Sequence, residues 1–144
     1  MKHVLILLLM VFLVLSCDKE KRTVRQIEGS WEIKKYKRIL STGISIYANA
    51  SGEMNIENSS NEAWEKSYSL QLNYSFPSFS GTTTQNGLIN VLESGEYMDV
   101  STLNSSDVVT RIDQHRIMVL TSTDLQLEFT DIAGQINTYT FRRK

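Results

Sequence analysis

From residue 68 to 76 the chain alternates without a break. Tyr68, Leu70, Leu72, Tyr74 and Phe76 are apolar, and Ser69, Gln71, Asn73 and Ser75 between them are polar. Period-two alternation of this length predicts a strand with one dry face and one wet face. Trp64 shares the parity, which places the start of the strand near residue 62, with a bulge around Lys66. The same signal recurs at Leu125, Leu127 and Phe129 against Gln126, Glu128 and Thr130, and at Ile44, Ile46 and Ala48 against Ser45 and Tyr47. Turn-forming residues punctuate these runs. Asn49-Ala50-Ser51-Gly52 predicts a hairpin between strands 44–48 and 53–57, and Glu93-Ser94-Gly95 divides 88–92 from 96–100. Asp113-Gln114 is expected to reverse the chain between 108–112 and 116–122, and residues 131–134 to separate 125–130 from 135–143. Pro77 opens a polar loop over 78–86, and a second polar loop is expected over 101–107. Thr23-Val24-Arg25-Gln26 fits a capping box closed by Gly29, so one short helical turn precedes the strands. The expectation is an all-β, antiparallel, up-and-down barrel of about eight or nine strands, because closure buries the greasy face and leaves no open edge.

The start of the chain follows another pattern. Val4 to Leu15 contains no polar side chain and follows the short positive patch Met1-Lys2-His3. A helix of that length spans about 18 Å, short of the roughly 20 residues a bilayer core requires but suited to a secretory signal. The segment ends on Val14-Leu15-Ser16-Cys17, which resembles the lipobox of bacterial lipoproteins. The resemblance implies that residues 1–16 are a signal peptide and that Cys17 is the lipidated first residue of the mature chain. Asp18-Lys19-Glu20-Lys21-Arg22 then reads as a solvated charged tether, which leaves a folded domain over 23–144. Two or more acyl chains give a stable anchor where one would be marginal. The expected location is the cell envelope, on the outer membrane.

Composition narrows the chemistry. Fifteen Lys+Arg stand against sixteen Asp+Glu, and removal of Lys2 with the signal leaves the mature chain at −2. No strong positive field is available for nucleic acid. Cys17 is the only cysteine, so neither a disulfide nor a thiolate site is expected in the domain. His115 is the only histidine after the signal and lies in Asp113-Gln114-His115-Arg116, an expected hairpin turn. The chain carries neither an EF-hand nor a phosphate-loop pattern. No catalytic residue, metal or cofactor is therefore expected.

The order of elements resembles the lipocalin family. In that family a short helical turn leads into a G-x-W motif, here Gly29-Ser30-Trp31, and a basic side chain of the last strand covers the Trp. The ending "TYTFRRK" offers Arg142 or Arg143 for that cover, with Arg142 favoured. Small lipoproteins of the Bacteroidetes type with a lipocalin-like domain resemble the whole chain. The resemblance implies a membrane-anchored barrel that holds a small apolar or amphipathic ligand. A counterpart of the family's second conserved region, an aspartate-bearing mid-chain turn, is not evident.

The candidate lining of such a cavity is Trp64, Tyr68, Leu70, Leu72, Tyr74, Phe76, Leu125, Leu127 and Phe129. The competing reading makes each of them plain core, in which case a filled barrel would serve as an interaction or inhibitor module for an envelope protein. An internal cavity above about 300 Å³, open between loops, would favour the carrier. An enzyme would require His115 to sit in a cleft.

Overall fold

The computed structural model describes residues 19–58, 65–92 and 94–144. Cys17 and Trp64 lie outside the described residues. Residues 19–27 form a helix, α1, and eight strands follow. They are β1 (Gly29–Ile39), β2 (Ser45–Asn58), β3 (Glu65–Ser75), β4 (Ser80–Val91), β5 (Tyr97–Leu103), β6 (Val109–Leu120), β7 (Asp124–Thr130) and β8 (Ile136–Arg143). Each strand pairs antiparallel with its neighbour in sequence, and β8 pairs with β1 to close the barrel.

Alternation decides which side chains enter. Along β3, Tyr68, Leu70 and Leu72 are buried while Ser69, Gln71 and Asn73 face water. On β7, Leu125 and Leu127 are fully covered. Closure needs bends, and register shifts supply them: one on β1 between Ile33 and Lys35 against β8, another on β6 between Ile117 and Val119. The exposed Lys34 at the β1 shift pairs with Glu32 at 2.5 Å on the outer surface. The basic segment of β1 is thus mostly water-facing, although Arg38 turns inward to the cavity.

Several expectations from sequence are corrected. The 49–52 turn does not exist: those residues continue β2, each paired with β3 from Asn49↔Ser75 to Gly52↔Leu72. Gly52 is there because the backbone takes φ +132° and a Cβ would lie 2.0 Å from the Gln71 carbonyl oxygen. The reversal at 113–114 is likewise absent, because β6 runs unbroken through both residues. Most of the expected 78–86 loop is β4, the turn being confined to residues 76–79. Thr23 is no N-cap, since the helix already includes residues 19–22, which charge alone had suggested as a solvated tether. Thr23 is buried inside α1 and donates from Oγ1 to the Gly95 carbonyl at 3.3 Å, while Lys19 pairs with Glu96 at 2.8 Å.

The two barrel ends differ. Turns 40–44, 76–79, 104–108 and 131–135 gather at one end by the topology. At the other end α1 lies across the opening, and its Val24 and Ile27 join the core with Trp31, Ile56 and Phe141. Lys66, almost fully covered, reaches Glu28 at the foot of α1 at 3.2 Å and also bonds Asn58. A buried ammonium requires such partners.

Candidate functional site

Gly29, Trp31 and the end of β8 build the closed end. Trp31 is fully buried, and its Nε1 donates to the Ile27 carbonyl at 2.7 Å. The side chain over the indole is Arg143, its guanidinium carbon 4.3 Å from the ring centroid. Arg142 is not the covering residue: its side chain is 67% exposed and points out towards Asp124 at 3.8 Å. Parity is the reason, because Phe141 points inward and the residue two positions on shares its face. Arg143 donates to the carbonyls of Glu28 at 2.7 Å and Gln26 at 2.5 Å. Trp31 and Arg143 together therefore satisfy three carbonyls at the negative end of α1. Gly29, at φ +127°, leaves room for this guanidinium, since a Cβ there would lie 2.6 Å from its Nη1.

Between that plug and the open end the barrel is hollow. A cavity of about 290 Å³ extends from a floor that includes Leu70, Ile89, Met98 and Leu127 to the 131–135 turn at the rim. That volume falls just under the roughly 300 Å³ at which small-ligand sites begin and equals roughly ten waters at about 30 Å³ each. Of the side chains proposed from sequence, Tyr68, Leu70, Tyr74, Leu127 and Phe129 face the cavity. Leu72, Phe76 and Leu125 are packed in the core without lining it.

One arc of the wall is aromatic. Tyr36 meets Tyr74 edge-on at 5.6 Å between ring centroids and Tyr139 at 4.8 Å. Burial pushes the phenols of Tyr36, Tyr68 and Tyr139 above the ordinary tyrosine value, so all three remain neutral hydrogen-bonding groups. Arg38 lies 5.2 Å from the Phe76 ring and 5.5 Å from Phe79. Its Nε donates to Asn137 Oδ1 at 2.9 Å, which also accepts from the Tyr36 hydroxyl at 2.7 Å. Asn137, nearly inaccessible, passes its own amide to Asp131 at 3.2 Å and to the Gln135 carbonyl at 3.1 Å. Burial alone would raise Asp131, but N–H groups of Gln135 and Ala133 and the Asn137 amide outweigh it, with Arg38 adding its charge. The carboxyl is held below its usual value.

The opposite arc is polar and comes from strands whose pattern sequence did not resolve. Arg111, Asp113 and His115 alternate on β6 and all face the cavity, with Gln85 of β4 and Thr102 of β5 beside them. Arg111 Nε sits 2.6 Å from Asp113 Oδ2. His115 is not at a turn tip: it is 9% exposed and stacks on Phe129 at 4.5 Å between centroids, 8° from parallel. Its Nδ1 is buried without a partner. Burial first, and then the Arg111 charge, lower its pKa to about 4. The imidazole is therefore neutral at physiological pH and a poor proton acceptor. Among the described residues no group of three His, Cys, Asp or Glu side chains is placed to hold a metal ion.

His115 has a consequence for acid stability. Between pH 6.5 and about 4 the unfolded chain binds the proton that the folded chain refuses, so stability falls as pH falls through that window. At about 1.4 kcal/mol per pH unit the full loss is about 3 kcal/mol. Replacing His115→Phe keeps the stack on Phe129 and removes both the titration and the orphaned nitrogen. The variant should match or exceed the parent in Tm at pH 7.5 and lose roughly 10 °C less on moving to pH 4.5. Equal acid losses in a pair of thermal melts would show that His115 is not the buried titrating group.

No protein-family model matches the chain. No curated protein matches it either. Solved structures do, designed barrels among them. A de novo designed fluorescence-activating β-barrel is similar with a TM-score of 0.52 at 15% identity, covering 85% of this chain and 97% of its own. Two redesigned β-barrels solved with DFHBI bound give TM-scores of 0.55 and 0.54 at 14% identity, covering 82% and 85% of this chain and 99% of each of theirs. At such identities the likeness is one of fold.

Proposed function

We propose that the protein is a membrane-anchored, non-enzymatic carrier in which the barrel holds a small apolar or amphipathic molecule in the cell envelope, with lipid on Cys17 as the anchor. The cavity carries this reading. A space of about 290 Å³, greasy at its floor and polar along one arc, runs to the rim of a barrel plugged at its other end. Support for a small ligand also comes from the DFHBI-bound barrels of similar fold. Against an enzyme stands the neutral His115, buried against Phe129 and lowered to a pKa of about 4, which leaves it a weak base. The lipobox motif supports the anchor, and the outer membrane is the proposed site.

The test is occupancy of that space. N-phenyl-1-naphthylamine should bind the domain with a rise in fluorescence. Thr102→Trp and Gln85→Trp, each placing an indole in the cavity, should weaken binding at least tenfold while lowering Tm by only a few degrees. Binding that survives both indoles would remove the carrier reading. For the anchor, Cys17→Ser should move the protein from the membrane fraction to the soluble one, and a variant still retained in membranes would contradict it.

A second reading, an interaction module, has its own observation. Ile112 on the outer face of β6 is 62% exposed, and Ile132 on the 131–135 turn is 96% exposed. Isolated apolar side chains are common on protein surfaces, so the cavity remains the stronger ground.

A further inference from the structure

We infer that the cavity selects an uncharged, ring-bearing amphiphile and discriminates against anions, because the charges lining it occur as two opposed pairs, Arg111 with Asp113 and Arg38 with Asp131. The inference rests on the carrier reading and adds the class of ligand to it. Among the described residues, the charged ones that line the cavity are those four, two of each sign. Arg111 is held by Asp113 at 2.6 Å within β6. Arg38 is joined to Asp131 through the amide of Asn137, with contacts of 2.9 Å and 3.2 Å on its two sides.

The consequence follows from desolvation. An anion moved from water into such a space loses its hydration, and repayment needs an unopposed positive charge or several free donors. Here each guanidinium is already opposed by a carboxylate that would repel an incoming anion. A neutral molecule escapes that cost. Gln85, Thr102 and the Tyr68 hydroxyl offer it uncharged hydrogen bonds along one side. The Tyr36, Tyr139 and Phe129 rings offer flat contact on the other. His115, facing the same space with an unpartnered nitrogen, is a further polar group of no net charge.

Two probes that share an anilinonaphthalene skeleton test this: neutral N-phenyl-1-naphthylamine and 8-anilinonaphthalene-1-sulfonate. Fluorescence titrations should give at least tenfold tighter binding of the neutral probe. Asp113→Asn leaves Arg111 unopposed and should improve sulfonate binding about tenfold relative to the neutral probe. Arg111→Gln should shift the ratio the other way, and the double variant should return near the parent ratio, which cancels the difference in probe size. A sulfonate that binds as tightly as the neutral probe, in a manner abolished by Thr102→Trp, would overturn the selectivity and leave the carrier intact. A ratio unmoved by both single variants, each folded by circular dichroism, would overturn it as well. Binding of both probes that is indifferent to Thr102→Trp and Gln85→Trp would remove the carrier reading and the selectivity together.

Discussion

Trp31→Ala is expected to lower Tm by roughly 15 °C or more. The indole is fully buried, donates to the Ile27 carbonyl at 2.7 Å and supports Arg143 at 4.3 Å. Truncating a buried aromatic to Ala costs about 3–5 kcal/mol, and the stranded carbonyl adds about 1 kcal/mol or more. Domain stabilities are about 5–15 kcal/mol in total, so the loss is a large share. The damage should spread, because α1 is tied to the barrel through the same residues. Its Gln26 and Glu28 carbonyls depend on an Arg143 that would have lost its platform. Trp31→Phe keeps most of the apolar volume and should cost about 1–2 kcal/mol. Arg143→Met should fall between the two, whereas Arg142→Met should be nearly silent, since Arg142 is two-thirds exposed and its pair with Asp124 is a surface one. A series in which Arg142 mattered more than Arg143 would mean that the closed end is built differently.

Gly52→Ala should cost at least about 3 kcal/mol and about 10–15 °C in Tm. Two effects add. The φ of +132° is one that L residues rarely adopt, and the new Cβ would stand 2.0 Å from the Gln71 carbonyl oxygen and 2.9 Å from its carbon. Those atoms belong to the β3 backbone, which cannot yield as a side-chain tip would. The β2–β3 register around Gly52↔Leu72 must therefore break or slide. Gly43→Ala supplies the contrast: it also has positive φ, +82°, but nothing lies within 4 Å of its Cβ. It should cost only about 1–2 kcal/mol. Comparable losses at the two sites, read from chemical denaturation, would show that the barrel wall at Gly52 has room the geometry denies.

The contrast between β3 and β6 shows what the sequence could reveal. β3 separates core from water over most of its length, so apolar and polar side chains alternate and the strand is legible. β6 separates water from a polar cavity. Its inward residues are Arg111, Asp113 and His115, while Ile112 faces out, so the usual pattern is inverted and reads as a turn. β4 fails for the same reason, with Thr83 and Gln85 inward among Ser, Thr and Asn. On β2, Ala50 is small and only partly buried beside the core, and with Asn49, Ser51 and Gly52 it imitates a turn. The misread stretches of β4 and β6 are both cavity wall. A strand whose period-two signal fades between two legible neighbours is itself a sign of a polar interior. The choice between Arg142 and Arg143 was also open to sequence, had the inward parity of Phe141 been carried two residues further. Residues 19–22 were harder, because their charges hid a helix whose inner face begins only at Thr23 and Val24.

The hollow interior is tested most directly by methyl NMR of the domain titrated with N-phenyl-1-naphthylamine. Shifts are expected at the inward methyls of Leu70, Ile89, Met98, Val100 and Leu127, with Ile112, Met118 and Val119 on the exterior unmoved. Shifts confined to Ile112, Met118 and Val119, with the inward set silent at saturation, would contradict it.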